Sequence, residues 1–262
     1  MLEKKPIFAA KCAIIVASLT PGSNLTPSSG KETETTMDHT ELARMIDHTF
    51  LKAFGTPDDI EKLCAEAREW QFGAVCVHPC NIERCVELLT DSPVRICTVA
   101  GFPLGQMSST AKAFEIRDCL DRGAQEVDLV INVRAVQAAD EELVRRELVN
   151  LAEVCSDAGA TSKIILENCY LNDEQKRWAC RIAVEAGVDF VKTSTGFGTG
   201  GATVADVRLM KETVGDEAEV KAAGGIRTYE DAIAMIEAGA TRIGASSGVA
   251  IVKRAIEIEQ GR

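Results

Sequence analysis

Val188-Asp-Phe-Val-Lys-Thr-Ser-Thr-Gly196 is the stretch whose reading decides the fold. It follows Ala186-Gly187, a helix-stop signal, and carries apolar Phe190 and Val191 at consecutive positions rather than alternate ones. Such a run suits a strand covered on both faces. A glycine-rich turn and a helical pattern near 203–214 come next. The same unit recurs 29 residues later as Ala218-Glu-Val-Lys-Ala-Ala-Gly-Gly225, with a helical pattern near 228–239. If the sheet is parallel, Lys192 and Lys221 lie on neighbouring strands near one end. Two ammonium groups side by side in an apolar setting disfavour each other's charge, which leaves a free amine able to attack a carbonyl.

Working outward, β-rich runs fall at 44–48, 73–78, 95–100, 126–131, 163–167, 188–193, 218–223 and 241–245. Helical patterns lie near 58–71, 81–90, 109–123, 140–159, 173–187, 203–214, 228–239 and 247–258. Glycines at 159, 187 and 239 stop three of them, and Asn172 and Thr228 sit where helix caps belong. Eight strand–helix units in 262 residues predict an α/β fold, a single-domain (β/α)8 TIM barrel over 37–262. The alternative is an open doubly wound sheet. Residues 1–36, with a Pro-, Ser- and Thr-rich stretch from 20, are expected to be a disordered extension or a mis-assigned start.

The net charge of −11 argues against nucleic acid and anionic membrane as partners. No apolar run reaches the ~18–20 residues of a membrane span. Ten cysteines are scattered without a CxxC pair, so buried reduced thiols and a cytoplasmic location are expected.

Barrel chemistry sits at the C-terminal ends of the strands, where the pattern puts Asp47, Cys76, Asp128, Glu167, Lys192, Lys221 and Ser246. Asp128, inside Glu-Val-Asp-Leu-Val-Ile (126–131), needs a charged partner, and the two lysines provide it. In function it would shuttle protons as an imine and enamine interconvert. Lys163 extends this network. The residues alone leave the roles of Lys192 and Lys221 exchangeable. The turns at Thr195-Gly196, Gly224-Gly225 and Gly244–Gly248 suit a phosphate, because backbone N–H groups ahead of a helix bind anions.

Two motifs mislead. Gly196-Phe-Gly-Thr-Gly-Gly201 fits a dinucleotide fingerprint, but five strand runs precede it. Gly244-Ala-Ser-Ser-Gly248 fits a hydrolase elbow, but no histidine follows it; the three histidines are His39, His48 and His78. So few histidines also weigh against a metal-dependent aldolase, and neither metal nor cofactor is expected.

The motifs together resemble deoxyribose-phosphate aldolase, a class I aldolase family, over roughly residues 41–258. The resemblance rests on Ile-Asp-His-Thr (46–49), Val-Cys-Val-His-Pro (75–79), Gly-Phe-Pro-Leu-Gly (101–105), Glu-Val-Asp (126–128), Lys-Ile-Ile-Leu-Glu (163–167), Val-Lys-Thr-Ser-Thr-Gly-Phe (191–197), Lys-Ala-Ala-Gly-Gly-Ile-Arg-Thr (221–228) and Arg-Ile-Gly-Ala-Ser-Ser-Gly (242–248). It implies reversible cleavage of 2-deoxy-D-ribose 5-phosphate to D-glyceraldehyde 3-phosphate and acetaldehyde, in deoxyribonucleotide catabolism. It implies Lys192 as the Schiff-base lysine, with Lys221 and Asp128 as catalytic partners. Asp47, Thr49, Cys76 and Lys163 would line the site, with Thr195, Gly196, Gly224, Gly225, Ser246 and Ser247 around the phosphate. A homodimer is implied as well. Two features depart from the family: Phe197 stands where some members carry a lysine, and the chain ends Glu-Gln-Gly-Arg without the terminal tyrosine some members have. A related aldolase with a longer sugar, a phosphate-binding isomerase and a non-catalytic phosphate sensor are the alternatives.

Overall fold

In the computed structural model, which describes residues 37–262, eight parallel strands close into one barrel in chain order. They are β1 Ile46–Phe50, β2 Ala74–Val77, β3 Arg95–Ala100, β4 Glu126–Val130, β5 Thr161–Ile165, β6 Phe190–Lys192, β7 Glu219–Ala223 and β8 Arg242–Ala245. Helix α1 His39–Arg44 precedes β1. Between the strands run α2 Pro57–Trp70, α3 Ile82–Leu88, α4 Ser109–Asp121, α5 Val133–Gln137, α6 Glu141–Asp157, α7 Asp173–Ala186, α8 Val204–Val214 and α9 Tyr229–Glu237, and α10 Gly248–Glu259 follows β8. Pairing of Ile46 with Ile243 and of Asp47 with Gly244 closes the barrel, which rules out the open sheet. The extension expected over 1–36 lies outside the described residues.

Local chemistry places most boundaries. Asn172 and Thr228 each make a capping box with the residue three positions on, Gln175 and Asp231. Gly187 ends α7 in the left-handed region, φ 80°, where a side chain would be strained. Several boundaries differ from expectation by one or two residues, and two short helices, α1 and α5, are added. Strand β1 starts two residues late because Asp38 caps α1, its carboxylate accepting the Thr40 N–H. Strand β5 runs 161–165, so Glu167 lies beyond it, just ahead of a 3-10 turn over Asn168–Tyr170. The short α5 was not expected; Asn132 caps it by accepting the Ala135 N–H at 3.1 Å.

The apolar core lies outside the barrel wall. Val75, Val127, Leu129, Ile164, Val191, Val220 and Ile243 point outward and are fully buried beneath the helices. Each such side chain contributes about 1.5–3 kcal/mol by leaving water. Two-residue alternation along each strand turns the other set of side chains into the lumen, and that set is largely polar. Among the described cysteines, seven are buried as expected, whereas Cys169 is half-buried and Cys80 exposed.

One ion pair ties two helices to the wall. Lys112 of α4, buried, donates to Glu147 of α6 at 2.7 Å and to the Val130 carbonyl at 2.9 Å. Replacing one partner strands the other as a lone buried charge. Glu147→Leu is expected to cost about 3–5 kcal/mol in urea denaturation, and the double variant Lys112→Met/Glu147→Leu to recover most of it.

Candidate active site

The lumen charges arise from strand periodicity. Positions two apart on a strand share a face, so Glu126 and Asp128 of β4 both point inward, and Lys163, Lys192, Lys221 and Arg242 meet them from β5 to β8. Asp128 lies at the centre. Its Oδ2 accepts from the Lys192 and Lys221 ammonium groups, both at 2.7 Å. Its Oδ1 accepts from Lys163 at 3.0 Å and from the Cys97 thiol at 3.2 Å.

Six of these groups form a closed circuit of alternating charge. Lys163 bonds Glu126, Glu126 pairs with Arg242, and Arg242 reaches Asp47 at 2.6 Å. Asp47 takes the Lys221 ammonium, and Lys221 and Lys163 both return to Asp128. Lys192 is attached to this ring through Asp128 alone. Lys163 and Lys221 thus each bond two carboxylates and Lys192 one. Lys192 is also the last residue of β6, with Lys163 two register positions deeper.

Burial acts against the charged forms of Asp128, Asp47 and Lys221, and their ion pairs overcome it. The carboxyl of Asp128, fully buried, is nonetheless held well below the usual range by Lys163, Lys192 and Lys221. Burial likewise opposes charge on Asp47, but Arg242 and Lys221 hold it low. Burial also disfavours the Lys221 ammonium, yet Asp128 and Asp47 raise its pKa well above normal. Lys221 is therefore a fixed cation.

Around this centre, Thr49 pairs in register with Cys76, and Cys76 with Cys97, above Asp47 on the same walls. The Thr49 hydroxyl donates to the Asp47 carbonyl at 2.7 Å. Gly196, Gly224 and Gly225 all have positive φ, and a Cβ on Gly224 would lie 3.6 Å from the Gly196 Cα, so the two turns pack together. Ser246 is exposed and Ser247 half-buried at the start of α10, where the Ser247 hydroxyl makes no cap bond and stays available. The Thr195 hydroxyl is turned onto Glu167.

The expected set of polar residues at strand ends needs adjustment. Asp47 and Asp128 lie inside their strands, and Glu167 and Ser246 lie beyond theirs. Glu126, Arg242 and Cys97 were not singled out from the sequence. The available signal was the two-residue period, which puts Glu126 on the face of Asp128. His48 and His78 are engaged separately: His48 Nε2 lies 2.7 Å from Glu66, and His78 Nε2 3.0 Å from the Leu51 carbonyl. The sulfurs of Cys76 and Cys97 lie within 4.8 Å of an Asp128 oxygen, a spacing that could hold a metal, but a cation there would face three ammonium groups.

Comparison with known proteins points to one family. The profile of the DeoC/LacD family aldolases matches residues 35–254. Deoxyribose-phosphate aldolase of Bacteroides thetaiotaomicron is 56% identical over 221 residues, covering 84% of this chain and 93% of that one. The same-named protein of Thermococcus gammatolerans is 53% identical, covering 84% and 98%. The tetrameric deoxyribose phosphate aldolase structure from Aeropyrum pernix superposes with a TM-score of 0.79 at 32% identity, covering 84% of this chain and 93% of that one.

The charge ring sets the pH dependence of stability. Asp128 has a folded pKa below its ordinary 3.8, so its contribution is complete above that value and is lost as pH falls through the folded pKa. Lys221 has a folded pKa above its ordinary 10.5, so its contribution is complete below that value and is lost as pH rises through the folded pKa. The stability difference between wild type and Asp128→Asn, from urea melts, is expected to hold level from about pH 5 to about pH 9 and to shrink towards about pH 3. A difference that grows on acidification would contradict the charged assignment.

Proposed function

The chain belongs to the DeoC/LacD aldolase family, and from that premise we infer that it cleaves 2-deoxy-D-ribose 5-phosphate reversibly to D-glyceraldehyde 3-phosphate and acetaldehyde, through a Schiff base on Lys192. The observation that carries the assignment of Lys192 is its position: at the open end of β6, attached by one carboxylate to a ring that holds Lys221 protonated. The curated relatives carry the substrate.

The amine of Lys192 adds to the C1 aldehyde, and loss of water gives a protonated imine. That imine is an electron sink. The two-carbon product locates the broken bond at C2–C3: its electron pair moves into an enamine, the C3 hydroxyl gives up its proton, and glyceraldehyde 3-phosphate departs. Protonation at C2 regenerates the imine, and water releases acetaldehyde and Lys192. Asp128 and Lys221 hold the water that carries protons to and from the substrate, Lys221 remaining the neighbouring cation. Asp47 orients Lys221 through their ion pair. Lys163 holds the other Asp128 oxygen. Thr49 and Cys76 line the wall above. The iminium supplies the electrophile, so no metal or cofactor is needed.

The phosphate would be held by the turns carrying Thr195, Gly196, Gly224, Gly225, Ser246 and Ser247, at the N-terminus of the 12-residue helix α10. Phosphorylated sugar and small aldehydes are thus the ligands, in deoxyribonucleotide breakdown in the cytoplasm. Among the described residues no helix is long and apolar enough to cross a membrane. Self-association is part of the proposal: a homodimer follows from the family resemblance, and the Aeropyrum relative is a tetramer. Sedimentation equilibrium returning a monomer at micromolar concentration would remove it.

Borohydride reduction in the presence of acetaldehyde, followed by digestion and mass spectrometry, is expected to place the adduct on Lys192. Lys192→Ala should lose the adduct and at least about a thousandfold in kcat. Lys221→Leu should keep the adduct and slow turnover. An adduct on Lys221 would exchange the roles, and its absence from wild type would sink imine chemistry.

A further inference from the structure

Glu167 is a carboxylate without a stated task. It is buried, only 3% exposed, and sits two residues beyond β5 in the left-handed region at φ 55° and ψ 62°. A non-glycine residue held there is strained, and such residues persist where surrounding contacts over-determine them. The contacts here run along the exit of β6. The Leu166 N–H donates to the Lys192 carbonyl at 2.9 Å, and the Asn168 N–H to the Thr193 carbonyl at 3.0 Å. Between these two bonds the left-handed turn directs the Glu167 carboxylate onto Thr195. One oxygen accepts the Thr195 N–H at 3.2 Å, and the other takes the Thr195 hydroxyl in a short bond. That hydroxyl then accepts the Phe197 N–H at 3.0 Å.

The neighbouring glycines fit the same design. A Cβ on Gly198 would lie 3.1 Å from the Glu167 carboxyl carbon, so the loop closes directly over this group. The Ala202 N–H donates to the Gly224 carbonyl at 2.9 Å, which joins the far end of the loop to the Gly224-Gly225 turn. Glu167 therefore anchors, through Thr195, a loop that packs against the other candidate phosphate turn.

We propose that Glu167 is a positioning residue for the known reaction: its carboxylate clamps the Thr195-Gly196-Phe197 turn in the shape that receives the substrate's phosphate. This rests on the aldolase reading above. The Thr195 hydroxyl acts on the turn rather than on the substrate, because its proton goes to Glu167 and it accepts from Phe197.

The test compares deoxyribose 5-phosphate with unphosphorylated 2-deoxyribose as substrates for wild type, Glu167→Gln, Thr195→Val and the double variant. Loss of one charge-assisted bond is expected to raise KM for the phosphate ester about tenfold in each single variant, with kcat within about threefold. KM for the unphosphorylated sugar should move less than about twofold. The double variant should lose no more than the worse single one, because both act through one contact. Equal KM increases for both sugars would mean a general structural role and overturn the proposal. So would losses that multiply in the double variant. If Glu167→Gln fails to fold, Thr195→Val with intact melting decides the question by the same KM comparison. Failure of wild type to turn over either sugar would be a failure of the aldolase reading and is seen before any variant is made.

Discussion

One carboxylate surrounded by three ammonium groups is the constraint around which the barrel interior is organised. An isolated charge taken from water into a protein interior costs several kcal/mol even after relaxation, and pairing offsets this only when geometry is good and remaining donors are satisfied. Asp128 meets that condition with four donors. Its neighbours must then be satisfied in turn, which calls for Glu126 beside Lys163, Asp47 beside Lys221 and Arg242 between the two acids. The ring closes because each member has at least two oppositely charged partners, with Arg95 as a third for Glu126 and Lys192 as a third for Asp128. Lys192 stands outside the closure, so its nitrogen can change bonding partners while the ring stays intact. A protonated imine on Lys192, as proposed, would keep a positive charge beside Asp128.

The sequence discloses the members of this network unevenly, for a physical reason. Lys192, Lys221 and Asp128 stand out because each is a charge inside an apolar run. Glu126 and Arg242 each begin a run, where a charge normally reaches solvent. Only closure of the barrel, which sets β8 beside β1, brings Arg242 to Asp47. That long-range pairing leaves no local trace. The fold itself was legible from repetition, since eight strand–helix units with glycine stops permit few topologies. Boundaries moved where a side chain competed with the ladder, as when Asp38 capped α1 and delayed β1. Glu167 reads as a strand end because Lys-Ile-Ile-Leu-Glu is strand-like throughout; its left-handed turn is imposed by contacts with residues 192–195, which no local pattern encodes.

The two misleading glycine motifs gain a structural explanation. In Gly196–Gly201, the last glycine packs where a Cβ would lie 2.2 Å from the Gly224 carbonyl oxygen. The motif therefore serves contact between neighbouring loops rather than a pyrophosphate. In Gly244–Gly248, a Cβ on the first glycine would lie 2.9 Å from the Ala223 Cβ and 3.3 Å from the Lys221 Cε, so its absence leaves room for the lysine stem. The last glycine lets α10 approach Phe72 and His48, at 3.0 and 3.1 Å from such a Cβ. Glycine spacing in this chain records close packing between βα-loops, and resemblance to a cofactor motif is incidental.

Phe197 raises the question of how a protein with net charge −11 holds a phosphate without a lysine at that position. Charge on the outer surface matters little, since exposed charges more than about 8 Å away are largely screened at physiological salt. Inside the barrel the relevant charges are those of the ring and of Arg95 beside Glu126, where Lys163, Lys221, Arg242 and Arg95 face three carboxylates and leave a surplus of one cation. To this the start of α10 adds the partial positive charge of its unpaired N–H groups. Neither source depends on a flexible side chain. Phe197 is thereby free for packing, and its ring meets Phe102 edge-on at 5.3 Å, while Phe102 meets His78 at 5.8 Å. The aromatic contact braces three βα-loops from β2, β3 and β6, so the residue that a cation would occupy instead stiffens the turn proposed to bind the anion.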